Sequence, residues 1–140
     1  FRHGYGEGYP FRLLNFTTKN PEQLAAALNS LNIAGLRFHP QRQEGKTPGV
    51  YVIVTDWDAL HPTELSFQLM RLACAWNPEN PFAAASKSRA LLFNKHTGSQ
   101  DWWNELVSRG ERARVEMFLK EWDARAQEFQ AWSKRYWLYR

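Results

Sequence analysis

Asp56 and Asp58 stand two residues apart in TDWDALHP, directly after VYVIV, the most continuous apolar run of the chain. Paired acids at the end of a strand are an arrangement on which general acid and base catalysis draws. The spacing favours a plainer reading. Asp is a frequent turn former, and these two fall where a strand must hand over to a helix announced by Pro62. They are expected to shape that turn, with His61 as a loop or capping residue, and are kept as secondary candidates for a site.

Other reactive side chains form no recognisable constellation. The histidines, His3, His39, His61 and His96, are far apart and lack the short ligand spacing of a zinc motif, so neither a metal nor another cofactor is expected. His96, in KHTGS, is a further secondary candidate because a loop there could reach a cleft. Cys74 sits in LMRLACAW, a helix-core setting that hides a thiol and raises its pKa. No serine lies in a nucleophile-elbow pattern, and no glycine-rich loop leads into Lys-Ser or Lys-Thr. No catalytic residue is therefore assigned within this chain.

The opening stretch, FRHGYGEGYPF, alternates Gly4, Gly6 and Gly8 with Tyr5, Glu7 and Tyr9. Glycines let backbone approach a ligand closely while the residues between them project polar groups. A flexible linker is the alternative, although linkers seldom place Tyr, Glu and Phe among their glycines. GYGEG precedes a strand rather than joining a strand to a helix, which excludes a dinucleotide fingerprint. Trp57, Trp102 and Trp103 fall at loop or helix starts, where exposed rings can stack on sugars, but packing is the favoured role of each. Trp76 and Trp122 fall on helix faces expected to be buried.

Elements must position these groups, and the composition permits one domain's worth of them. The chain has 140 residues, 44% of them hydrophobic, and seven tryptophans, which argues against disorder. A net charge of +4 with scattered basic residues does not imply nucleic acid and would equally suit an acidic glycan. One cysteine rules out an internal disulfide. No apolar run reaches the roughly 20 residues of a membrane span. No secretion signal opens the chain, and its start at Phe1 reads as a mature or excised piece of something longer.

PFRLLNF reads as a short strand. Asn20, Pro21 and Gln23 announce a helix by N-cap, first-turn proline and capping box. Leu24, Leu28 and Leu31 form its buried stripe, and Gly35 is expected to stop it. LRFHP and VYVIVTD are strands, the second central and covered on both faces. HPTELSFQLMRLACAW is a helix with Leu65, Leu69, Leu72, Ala73 and Trp76 on one face. FAAASKSRALLFNKHTGS is expected to be irregular, with ALLF packed in. QDWWNELVSRG is a helix between Ser99 and Gly110, and the longest helix runs from Glu111 to about Ser133, its period set by Val115, Phe118, Leu119, Trp122, Ala126 and Phe129. RYWLY reads as a final strand or a packed extended segment. The fold class is α+β, a small sheet covered by helices, with residues 10–140 as a single domain and 1–9 as a junction.

Taken in order, GEGYPF, PEQLAAALNSLNIAGLRFHP, GVYVIVTDWDALHP, FNKHTGSQDWWNELVSRG and WDARAQEFQAWSKRYWLY resemble successive motifs of the C-terminal domain of the NamZ-like exo-β-N-acetylmuramidases. The resemblance spans nearly the whole chain. It implies the auxiliary half of a glycosidase that releases N-acetylmuramic acid from the non-reducing ends of peptidoglycan fragments. It also implies a partner, a Rossmann-like N-terminal domain of the same polypeptide holding the catalytic acids, and export to the periplasm, a lipid anchor or the medium. Arg2, Tyr5, Gly6, Glu7, Gly8 and Tyr9 would then line the cleft for a peptidoglycan-derived saccharide, with Arg2 suited to the lactyl carboxylate.

Two departures from the family pattern matter. Its threonine after G-x-G has no counterpart around Tyr9, and QRQEGKTP is shorter than the corresponding stretch, which in relatives carries a cysteine. Two other readings remain beside the resemblance: a stand-alone binding domain for an acidic glycan or protein, and an independent hydrolase using Asp56 and Asp58.

Overall fold

The computed structural model describes residues 12–42 and 47–138. Its contacts cluster into two compact units, Phe1–Leu69 and Met70–Arg140, with the boundary inside a helix. The opening loop, and with it Arg2, Tyr5, Gly6, Glu7, Gly8 and Tyr9, lies outside the described residues.

In the first unit β1 (Leu13–Leu14), β2 (Leu36–Gln41) and β3 (Gly49–Val54) form an antiparallel sheet of order β1-β3-β2. The central place expected for the VYVIV strand is therefore observed. Leu14 opposes Val50, and Phe38 opposes Val52. Helix α1 (Pro21–Asn29) packs on β2 and β3, burying Leu24 and Leu28 against Leu36, Phe38, Val50 and Val52 in one core. Among the described residues, coverage of β3 on both faces is not observed. Val50 and Val52 are buried, whereas Tyr51 and Ile53 are half-buried, because an antiparallel sheet with a helix on one side keeps the alternation of a one-sided strand.

The capping box of α1 is complete: Asn20 Oδ1 accepts the Gln23 N–H at 2.9 Å, and Gln23 Oε1 accepts the Asn20 N–H at 3.3 Å. The helix stops earlier than expected, at Asn29, and Asn32 turns the chain with a positive φ of 51°. Leu31 is consequently only half-buried, and Ile33 enters the core in its place. Beyond the helix, the Asn29 side chain bonds both backbone groups of Phe38. Gly35, at φ 72°, does not end α1 but begins the approach to β2. The strand expected over PFRLLNF is limited, among the described residues, to Leu13–Leu14 and a single bridge at Asn15.

Helix α2 (Pro62–Trp76) spans the boundary. Its buried residues are Phe67, Gln68 and Cys74, while Leu65, Leu69, Leu72, Ala73 and Trp76 are intermediate.

The second unit continues with α3 (Lys87–Thr97), α4 (Gln100–Arg109) and α5 (Val115–Ser133). The stretch expected to be irregular is largely α3, capped by Ser86 and closed by Gly98 in the left-handed conformation. Leu91 and Leu92 are exposed rather than packed. The helix is held by its caps and by Phe93, which meets Phe82 and Trp103 at ring-centroid distances of 5.6 and 5.0 Å. Ser99 and Gly110 bound α4 as expected. Trp102 and Trp103 take the packing role favoured for them and are both buried: Trp102 packs on Phe118 at 5.0 Å and donates to Met70 Sδ at 3.1 Å.

Asn80 ties the α2–α3 connection to the end of α4. Its Nδ2 donates to the Leu106 and Val107 carbonyls at 2.8 and 3.3 Å, while Oδ1 accepts the Phe82 N–H at 2.9 Å and the Ala83 N–H at 3.3 Å.

A 3-10 turn, Gly110–Arg112, precedes α5, which buries only Val115 and Phe118. Trp122, expected to be buried, is half-buried, and Ala126 and Phe129 are exposed, so the apolar period persists beyond the buried part of the helix. Lys134–Tyr136 form a further 3-10 turn. The extended ending expected over RYWLY begins only at Trp137, which is exposed along with Leu138.

Candidate functional site

The turn after β3 is built from the backbone outward. Gly35 carbonyl oxygen accepts the Thr55 and Asp56 N–H groups at 2.8 and 3.4 Å, fixing the strand's exit. A Cβ on Gly35 would lie 2.3 Å from the Asp56 carbonyl oxygen, so only glycine permits this approach. Asp56 Oδ1 then accepts the Asp58 and Ala59 N–H groups at 2.9 and 3.1 Å. One oxygen of the first candidate acid thus serves its own turn, as the spacing favoured.

With the turn held this way, Trp57 stands 70% exposed, next to the exposed Asp58. An open indole next to a carboxylate in sequence can stack on an apolar ligand face while the carboxylate accepts from a hydroxyl. His61 is exposed just before α2, and His39 is exposed on β2. His96 belongs to the last turn of α3 rather than to a loop and is exposed there. Among the described residues no group of three or more His, Cys, Asp or Glu could hold a metal ion.

The second unit contains a charged centre that the spacing analysis missed. Glu105 is 6% exposed; Arg114 Nε and Nη2 grip its two oxygens at 2.9 and 2.7 Å, the Arg114 N–H adds a bond at 3.0 Å, and Arg109 Nε lies at 3.5 Å. The Arg114 side-chain bonds hold the carboxyl below the ordinary range; burial opposes them, and the Arg114 N–H and the two positive charges add to the lowering. The visible signal was Glu105 four residues before Arg109 on one helix. A carboxylate held in this way fixes the start of α5 and is not free to move protons. Burial pushes the Cys74 thiol up to about 11, with the Glu111 charge contributing, so the helix-core reading of this cysteine holds. An open groove of about 560 Å³ is lined by Ser108, Arg109, Glu111 and Arg112.

The family model described as exo-beta-N-acetylmuramidase NamZ, C-terminal, matches residues 1–139. The chain belongs to the NamZ C-terminal family. No curated protein matches it, and no solved structure does. The motif resemblance is thus matched over residues 1–139, the opening loop included. Family membership makes this chain an auxiliary domain of a peptidoglycan-directed hydrolase. In the NamZ domain, no helix among the described residues is long and apolar enough to cross a membrane.

Proposed function

We propose that this chain helps wall the substrate cleft of a glycosidase that releases non-reducing terminal N-acetylmuramic acid from peptidoglycan fragments. The observation that carries the reading is the family match over residues 1–139, which runs through the glycine-alternating opening loop. In this reading Gly6, Glu7, Gly8 and Tyr9 line the sugar cleft, Tyr5 and Tyr9 offer rings to the pyranose, and Arg2 pairs with the lactyl carboxylate. The catalytic acids belong to a Rossmann-like domain earlier in the same polypeptide. The enzyme works outside the cytoplasm, where its substrate lies.

Support comes from how two acids of this chain are used. One oxygen of Asp56 serves a turn, and both oxygens of Glu105 are held by Arg114. The test is hydrolysis of a chromogenic muramic acid glycoside. The 140-residue chain alone is expected to give no turnover, and the polypeptide that joins it to its N-terminal domain is expected to be active. Turnover by the chain alone would move the catalytic residues into it. Glu7→Gln in the active polypeptide is expected to raise KM or lower kcat, and unchanged kinetics would remove the loop from the cleft.

A further inference from the structure

The end of α5 and the turn that follows carry an arrangement unused by the core of their unit. Phe129, Trp132 and Tyr136 recur at spacings of three and four residues, which sets them along one face. Their rings follow one another in contact, with centroids 5.9 Å apart from Phe129 to Trp132 and 5.2 Å from Trp132 to Tyr136. Each remains open to solvent, at 65%, 53% and 61% exposure. A single exposed ring needs no explanation, but three in a row mark a surface that meets something.

Charge narrows what it meets. From Phe129 to Leu138 the chain carries Lys134 and Arg135 and no acid, whereas the preceding part of α5 mixes Glu116, Lys120, Glu121, Asp123, Arg125 and Glu128. Arg125 pairs with Glu121 there, but among the described residues neither Lys134 nor Arg135 forms an ion pair. Arg135 instead lies over two rings, its guanidinium carbon 4.8 Å from the Trp132 centroid and 4.9 Å from that of Tyr136. The rings restrain a long side chain while its N–H donors stay unclaimed by any carboxylate of the described residues.

We propose that this face binds a carboxylate-bearing glycan, with Trp132 and Tyr136 against pyranose faces and Arg135 paired with the carboxylate. Flat exposed rings suit the apolar faces of a sugar, and a guanidinium forms paired hydrogen bonds with a carboxylate. A nucleic acid would call for a denser run of cations than two. The inference rests on the peptidoglycan reading only in naming muramic acid as the source of the carboxylate.

Calorimetric titration of the 140-residue protein tests it with three ligands: an N-acetylglucosamine–N-acetylmuramic acid disaccharide, digalacturonate, and neutral diacetylchitobiose. The carboxylated ligands are expected to bind at least about tenfold more tightly than chitobiose. Trp132→Ala and Arg135→Gln are each expected to weaken that binding by roughly tenfold at an unchanged Tm, since both side chains are exposed. Arg135→Lys is expected to recover part of the loss, as it keeps the charge without the planar fork. Equal binding of chitobiose, or binding indifferent to both variants, overturns the proposal. So does an absence of saccharide binding, whether or not sedimentation shows that Trp132→Ala disperses a dimer of this chain. Binding of digalacturonate without the muramyl disaccharide upholds the platform and counts against the peptidoglycan reading alone.

Discussion

The Asn29 carboxamide satisfies both backbone groups of Phe38, donating from Nδ2 to the carbonyl at 2.8 Å and accepting the N–H at Oδ1 at 3.1 Å. Phe38 lies on β2, whose other side pairs with β3, so one side chain from the end of α1 does what a further strand would do. Edge groups left open invite pairing with another chain. Asn29→Ala is expected to cost about 1–3 kcal/mol in urea unfolding, because it leaves part-buried groups unpaired. Light scattering on warming is expected to rise in the same variant, and Asn29→Asp, which removes the donor, is expected to fall between the two.

Gly35 and Gly98 separate two penalties. Both have a positive φ, 72° and 68°, but a Cβ at Gly98 meets nothing within 4 Å, whereas at Gly35 it meets the Asp56 carbonyl oxygen. Gly98→Ala is expected to cost about 1 kcal/mol, the conformational term alone. Gly35→Ala adds a backbone clash and is expected to cost at least about 2–3 kcal/mol, measured by the same unfolding experiment.

The two candidate acids are expected to behave differently on mutation. Asp56→Ala removes the acceptor for two N–H groups of the turn and is expected to cost about 1 kcal/mol of stability. Asp58→Ala is expected to stay within about 0.5 kcal/mol of the parent, as an exposed site does. Equal losses in denaturant midpoints would contradict the turn geometry.

The pH dependence follows from Glu105. Its carboxyl is held below the ordinary value, so its contribution is complete above the unfolded pKa of about 4.3 and is lost as pH falls through the lower folded pKa. Glu105→Gln is expected to cost roughly 1–3 kcal/mol at pH 7. Below about pH 4.3 the variant and parent curves are expected to converge. A constant gap across that window would show that charge at Glu105 contributes nothing.

What could be read in advance was local chemistry. Asn20 with Gln23, Ser99 with Gly110, and Asp56 in its turn are each decided by neighbours within a few residues, and the structure places them as read. Burial was less legible because distant residues decide it. Packing is the favoured role of Trp102 and Trp103 in the first turn of α4, but the residues that close over them, Phe118, Met70, Phe82 and Phe93, are distant in sequence and carry no local signal. On α5 the helical period identified an apolar face without identifying what covers it, and Phe129, which keeps that period, is exposed. The Glu105 and Arg114 pair joins the end of one helix to the start of another across nine residues, a spacing no single-helix rule covers.

Asn80 links the α2–α3 connection to α4 through one planar group, so the loop and the last turn of that helix share a single opening event. Releasing the loop removes the Asn80 donor from the Leu106 and Val107 carbonyls, and fraying the helix end strips the loop of its anchor. Amide hydrogen exchange at Phe82 and Ala83 should therefore track exchange in the last turn of α4, one cooperative fluctuation shared by two stretches more than twenty residues apart in sequence.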